Sequence, residues 1–292
     1  MPGLMPDAGR RLPTRQVSSR KIVAVRGASI EVRDDRVVGE APLEIRAAGP
    51  HQDPVAVAVT MRTPGFEREL AVGFLRTEGL LEGQEVIGTT GGDVATLSQP
   101  DDTITVRLSR PFDDSKVAER HFVATASCGI CGKASIDEVA LRADPIPPGP
   151  VVSRAVVLAL PDLLRAAQRA FDETGGLHAA ALFTPSGELL AIHEDVGRHN
   201  ALDKLVGSQV LAGAMPLHDR LLIVSGRVSF EIVQKAAVAG IPIVCAVSAP
   251  SDLAIETAER LGVTLVGFLR GDGFNLYAHD DRIDLRDLSG LG

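Results

Sequence analysis

The chain has 292 residues, 45% of them hydrophobic, with no Trp, a single Tyr and a formal net charge of −8. That length and apolar content suit one large domain, or a main domain with a smaller companion. The negative charge and the scarcity of aromatics disfavour nucleic-acid and anionic-membrane surfaces, while leaving room for one local basic pocket that takes a phosphorylated ligand.

No stretch is long and apolar enough to suggest a membrane span. The Pro- and Arg-rich start lacks the apolar core of a secretory signal, and residues 1–20 read as a disordered lead-in. The cysteines are Cys128, Cys131 and Cys245, too few for a structural disulfide framework, which points to a cytoplasmic location.

In chain order, "KIVAVR" (21–26), "LEIRA" (43–47) and "VAVAVTM" (55–61) have the β-branched content and alternation of strands. "ERELAVGFLRTEGL" (67–80) predicts a helix with Leu70, Phe74 and Leu81 on one face and Gly79 as its C-cap. "TITVRLS" (103–109) alternates as a strand, and the Pro-rich 143–150 is the best linker or crossover candidate. These boundaries divide the chain into a β-rich region, 21–150, ending in the Cys-x-x-Cys segment, an α/β unit over 151–280 and a tail over 281–292. In the α/β unit, 161–176 reads as a helix with Pro161 in its first turn. "HAAALFT" and "LLAIHED" flank a hairpin turn at "PSGE", and helices and short apolar strands then alternate to residue 271. That alternation predicts βαβ units and a mainly parallel sheet covered on both faces.

Ligands of such sheets sit beyond the carboxyl ends of the strands. Here those ends carry 193–200 ("HEDVGRHN"), 225–229 ("SGRVS"), 248–252 ("SAPSD") and 268–273 ("FLRGDG"). Helix starts offer free N–H groups to anions, and Arg198, Arg227 and Arg270 would add guanidinium forks. Asp195 or Asp272 would accept from the ring N–H groups of guanine. Ser229 and Ser248 also fit ordinary helix N-caps. Several polar strand ends together favour a nucleotide-like ligand, although no Walker-type phosphate loop is present.

Cys128 and Cys131 admit three readings: a zinc clip completed by His121 or His193, a redox disulfide, or a nucleophilic thiolate that carries sulfur. One Cys pair falls short of the usual structural zinc set, and the "HED" at 193–195 departs from the deaminase pattern. Gly129 and Gly132 loosen the backbone, and Ser135 with Glu138 fits a capping box, so the thiols precede a positive helix end beside Lys133. Both features lower a thiol pKa. Cys245, in an apolar run, reads as a buried core thiol.

"CGICG", "HEDVGRHNALDK", "SGRVSFEIVQKAA", "VSAPSDLA" and "VGFLRGDGFNLYA", in that order and spacing, resemble the formate dehydrogenase accessory sulfurtransferase family. The resemblance implies a three-layer α/β/α core like the cytidine deaminase fold, a smaller N-terminal β-rich subdomain and a homodimer. It implies a protein that takes sulfur as a cysteine persulfide from a cysteine desulfurase. That sulfur passes to molybdenum bis(molybdopterin guanine dinucleotide), bound as substrate, for formate dehydrogenase. By position, the sulfur chemistry falls on Cys128 and Cys131. Cofactor binding falls on Phe268, Leu269, Arg270, Gly271, Asp272 and Gly273, joined from the reading of the strand ends by Arg198, His199, Ser225, Arg227 and Ser248. GDP would mimic part of the cofactor, and no resident metal is expected. The alternatives are a non-catalytic guanine-dinucleotide carrier and a zinc-binding, deaminase-like protein.

Overall fold

The computed structural model describes residues 16–81, 85–91, 102–118 and 144–286. The described chain opens with a hairpin. Strand β1 (Val17–Arg26) pairs antiparallel with β2 (Ser29–Val38), and Gly27, at φ 59°, makes the turn. β1 thus begins inside the stretch read as a lead-in. β2 is not among the elements predicted from sequence, because its alternation carries charge rather than a buried face.

Next come β3 (Ala41–Ala48), β4 (Val55–Arg62), helix α1 (Glu67–Thr77), β5 (Val86–Gly91), β6 (Thr103–Leu108) and a one-turn helix α2 (Ser115–Ala118). The four strands form a sheet in the order β4-β3-β6-β5. Its core follows the period of two: Leu43, Ile45 and Ala47 beside Ile104, Val106 and Leu108, all buried against Leu70, Phe74 and Leu75 of α1. α1 stops where the sequence predicts. Gly79 is left-handed at φ 67°, with Gly79 N–H bonded to the Arg76 carbonyl and Leu80 N–H to that of Leu75, a Schellman ending.

The larger unit contains β7 (Val152–Ser153), α3 (Arg154–Ala167), α4 (Arg169–Thr174), β8 (His178–Phe183), β9 (Leu189–Asp195) and α5 (Arg198–Leu211). It continues with β10 (Leu221–Val224), α6 (Phe230–Val238), β11 (Ile243–Ala246), α7 (Asp252–Leu261), β12 (Thr264–Arg270), β13 (Gly273–Ala278) and β14 (Ile283–Asp284), which pairs with β7. The six-stranded order is β13-β12-β11-β10-β8-β9. Only β10, β11 and β12 pair parallel; β8 and β13 run against their neighbours, so the sheet is mixed rather than mainly parallel. Hairpins close both edges, and a tight turn can only return a strand antiparallel. α3 also differs from the sequence reading. It starts at Arg154, where Ser153 accepts from the Val156 N–H, and Pro161 lies inside the helix instead of opening it.

One sheet face buries Ala180, Leu182, Leu222, Val244 and Leu265 under α5, α6 and α7. The other buries Ala181, Phe183, Ile223, Cys245 and Val266 under Val157, Leu160 and Leu164 of α3. This gives a three-layer α/β/α core. Truncating a fully buried side chain such as Leu160 would cost about 2–5 kcal/mol. The Pro-rich 144–150 runs along this core: Ile146 is buried in it and its N–H bonds to the Leu261 carbonyl.

The two sheets are joined by α1 and α5, which cross at Gly73 and Gly207. A Cβ on Gly73 would collide with the Asp203 carbonyl, and one on Gly207 with that of Glu69. Glycine is required at both positions by this close approach.

Candidate functional site

The mixed topology gathers one polar edge. β9, β10, β11 and β12 all end there, and the antiparallel β8 begins there with His178, opposite Asp195. Gly226, just after β10, is buried against the side chains of its neighbours: a Cβ on it would lie 3.1 Å from His178 Nδ1 and 3.8 Å from Arg198 Cδ. His178, Arg198 and His199 are half-buried and Arg227 is exposed.

Two helices start at this edge without a side-chain cap. α5 begins at Gly197, which has no side chain to offer. α6 begins at Ser229, whose Oγ is engaged by His199 Nε2 at 3.2 Å instead of capping. The same His199 nitrogen lies 2.8 Å from Glu231 Oε2. Uncapped helix starts beside the Arg198 and Arg227 guanidinium groups offer donors suited to phosphate oxygens. Burial first, then Arg198, His199 and Arg227, lower the pKa of His178, outweighing the opposite pull of Asp195. Burial pushes the Glu231 carboxyl up, but the His199 hydrogen bond and charge, with Lys235 and Arg198, bring it below its ordinary value.

At β12, Phe268 holds a left-handed backbone, φ 51°, within a bulge between Gly267 and Arg270, and its N–H bonds to the Ser248 carbonyl. Phe268 is 37% exposed, enough to offer a ligand contact, with the Arg270 guanidinium over its ring, 5.6 Å from the centroid. Arg270, Gly271, Asp272 and Gly273 are exposed at the turn into β13. β12 lies two strands from β10, about 10 Å across the sheet.

Several sequence-based assignments change on contact with this geometry. Leu269 is fully buried in the core, so it offers no surface to a ligand. Ser225 Oγ accepts from the Ala179 N–H and pins β8 to the end of β10. Neither Ser225 nor Ser248 opens a helix: the N-caps are Ser229 and Ser251, and it is Ser251 that accepts from the Ala254 N–H. Asp195 cannot read a guanine edge. It is fully buried, with Oδ2 bound by Lys204 Nζ at 2.7 Å and the Thr63 N–H at 3.1 Å. Its Oδ1 is held by the Gly197 N–H and Asn200 Nδ2. His193 is buried edge-on to the Phe66 ring, and burial, with the Lys204 charge, drops its pKa to about 3, leaving a neutral ring. Glu194, on the opposite strand face, accepts from the Ala170 and Phe171 N–H groups at the start of α4. Cys245 is a core thiol, as its apolar run predicts, and burial pushes its pKa to about 12.

Sequence reasoning missed His178 and Glu231 as members of the edge. His178 is brought there only because β8 runs antiparallel, and Glu231, in the first turn of α6, meets His199, in the first turn of α5, where the two helix starts come together. Cys128, Cys131 and His121 lie outside the described residues. Among the described residues, no group of three or more His, Cys, Asp or Glu could hold a metal ion, and no helix is long and apolar enough to cross a membrane.

Comparison with known proteins agrees with this architecture. The sulfur carrier protein FdhD of Streptomyces avermitilis is 47% identical over 287 residues, covering 95% of this chain and 99% of the relative. That of Sulfurisphaera tokodaii is 44% identical, covering 92% and 99%. A crystal structure from Desulfotalea psychrophila, assigned as a formate dehydrogenase accessory protein, superposes with a TM-score of 0.71 at 25% identity, over 92% of this chain and 99% of that one. The profile of the FdhD/NarQ family matches residues 38–284, and this chain belongs to that family.

Proposed function

We propose that this protein carries sulfur for formate dehydrogenase maturation. It takes the sulfur from a cysteine desulfurase and delivers it to molybdenum bis(molybdopterin guanine dinucleotide), its bound substrate. The observation that carries this reading is near-full-length similarity to proteins named sulfur carriers, at 47% identity. In the first step a thiolate of Cys128 or Cys131 attacks the terminal sulfur of the desulfurase persulfide, and the desulfurase thiolate leaves. Cys128 is the preferred carrier, since the first thiol of a Cys-x-x-Cys is commonly the more acidic one. The edge formed by Arg198 and Arg227, with His178 beside them and the two uncapped helix starts, takes the cofactor's phosphates. The Phe268–Gly273 turn, two strands away, takes the guanine end, with the Phe268 ring as its platform. We further expect two copies to associate as a homodimer.

Incubation with a cysteine desulfurase and cysteine, followed by intact mass and metal analysis, tests the reading. A gain of one sulfur on a Cys128/Cys131 peptide supports it. Stoichiometric zinc with unreactive thiols sinks it, and GDP binding without any sulfur gain points instead to a cofactor carrier.

A further inference from the structure

We infer that the β1–β2 hairpin is a docking arm for a second copy of this chain, the two arms stacked face to face and pointing the same way. This rests on the two-copy reading and names the surface that makes it. The hairpin is paired over its whole length; near its base, Arg36 pairs with Glu173 of α4, whereas residues 21–32 are mostly exposed. One face of the distal half presents Val23, Val25, Ile30 and Val32 at 62%, 65%, 73% and 63% exposure. A lone two-stranded ribbon is marginal in water, and four adjacent aliphatic side chains on its face are an interaction surface rather than a solvated one.

The register shows what fits. Across the hairpin Val25 faces Ile30, Val23 faces Val32, and the next row toward the base on that face is Lys21 opposite Asp34. A two-fold axis running along the arm exchanges left and right, as closed homodimers require. It sets Val23 over the partner's Val32 and Val25 over the partner's Ile30. It also sets Lys21 over the partner's Asp34 and Asp34 over the partner's Lys21, so charge matches wherever the apolar rows match. Stacking tip over base would instead put Lys21 and Asp34 over the uncharged Gly27–Ala28 turn. The complementarity selects the first arrangement.

Sedimentation of the full-length protein tests this at about 50 μM, since a small interface of this kind associates weakly. Wild type is expected to be dimeric and to dissociate on dilution. V25D/I30D is expected to weaken the dimer at least tenfold, with unchanged far-UV circular dichroism. K21D and D34K are each expected to be monomeric alone, from like charges facing each other, and to form a heterodimer when mixed. A monomeric wild type would overturn the two-copy reading itself. A dimer that survives V25D/I30D would leave that reading standing and remove the arm as its surface. Failure of the K21D and D34K mixture to associate would remove the same-direction stacking.

Discussion

The polar edge and the seam between the two sheets share one stretch of sequence, yet they differ in burial and in how their polar groups are paired. Residues 195–204 supply both. Asp195, Asn200 and Lys204 turn inward to the seam, where Asn200 Nδ2 donates to the Met61 carbonyl and Lys204 Nζ to that of Thr63. Asp203 joins a second buried set, in which Lys235 Nζ donates to Asp203, Glu78 and Thr77. Burial works against the Lys235 charge, but Asp203 and Glu78 outweigh it and raise its pKa. Arg198 and His199 turn outward, to helix starts whose N–H groups no side chain caps. The carboxylates of Asp195 and Asp203 and the ammonium groups of Lys204 and Lys235 are buried and paired in the seam, so they hold the fold; at the edge the buried Arg198 Nε has no partner and the helix starts are uncapped, which leaves donors for a ligand.

The sharpest way to test that division is to break the seam. Lys204→Met leaves the Asp195 carboxylate buried without its cation and should cost about 3–5 kcal/mol of stability, read by urea denaturation. Arg227→Ala, on the edge, should leave the melting temperature of the free protein within a degree or so, because an exposed side chain there adds little to the fold. If both variants lose stability alike, the division between seam and edge fails.

The edge is tested next by its ligand. GDP at a hundredfold over its dissociation constant should stabilise the protein by about 2.7 kcal/mol. Arg198→Ala and Arg227→Ala should each weaken that binding by about 1.5–3 kcal/mol, read by calorimetry. ADP should bind less well, and equal binding of the two would reduce the edge to a generic phosphate site.

A pH comparison is the third test. His193 belongs to the seam, with a folded pKa of about 3 against an unfolded value of 6.5. A depressed value means the unfolded chain takes the proton first. The neutral ring's contribution is therefore full above pH 6.5 and is lost as pH falls, by about 2 kcal/mol at pH 5. His193→Gln should flatten that part of the stability profile. At the edge the sign reverses: a bound anion raises the lowered pKa of His178, so binding takes up a proton and should tighten as pH falls toward that lowered value. His178→Gln should abolish the dependence. The smallest effect belongs to Cys245→Ala, which should leave sulfur loading unchanged; lost loading with the fold intact would give the buried thiol a part in the chemistry.

Much of this was legible in the sequence, and the failures have physical causes. The strands β8 and β10 to β12 and the helices between them show because their burial is regular. The hairpin strand β2 does not, since it buries nothing and is a strand only by pairing. The edge positions of Arg198, His199 and Arg227 follow from the strand-then-helix pattern. The inward turn of Asp195 does not, because strand register decides which side of β9 a residue faces and a list of polar letters carries no register. Pro161 was misplaced for a related reason: Ser153, eight residues earlier, supplies the cap that starts α3.

The crossing of α1 and α5 constrains how cargo moves. At Gly73 and Gly207 the two backbones touch with no side chain between them, so the helices have no compressible layer over which to slide or pivot. Prising the two sheets apart would strip this contact along with the bonds that Asp195, Asn200 and Lys204 make to Thr63 and Met61. On the proposed reading, loading and unloading use the open rim of the six-stranded sheet, with the body behind it acting as a rigid anvil rather than a jaw.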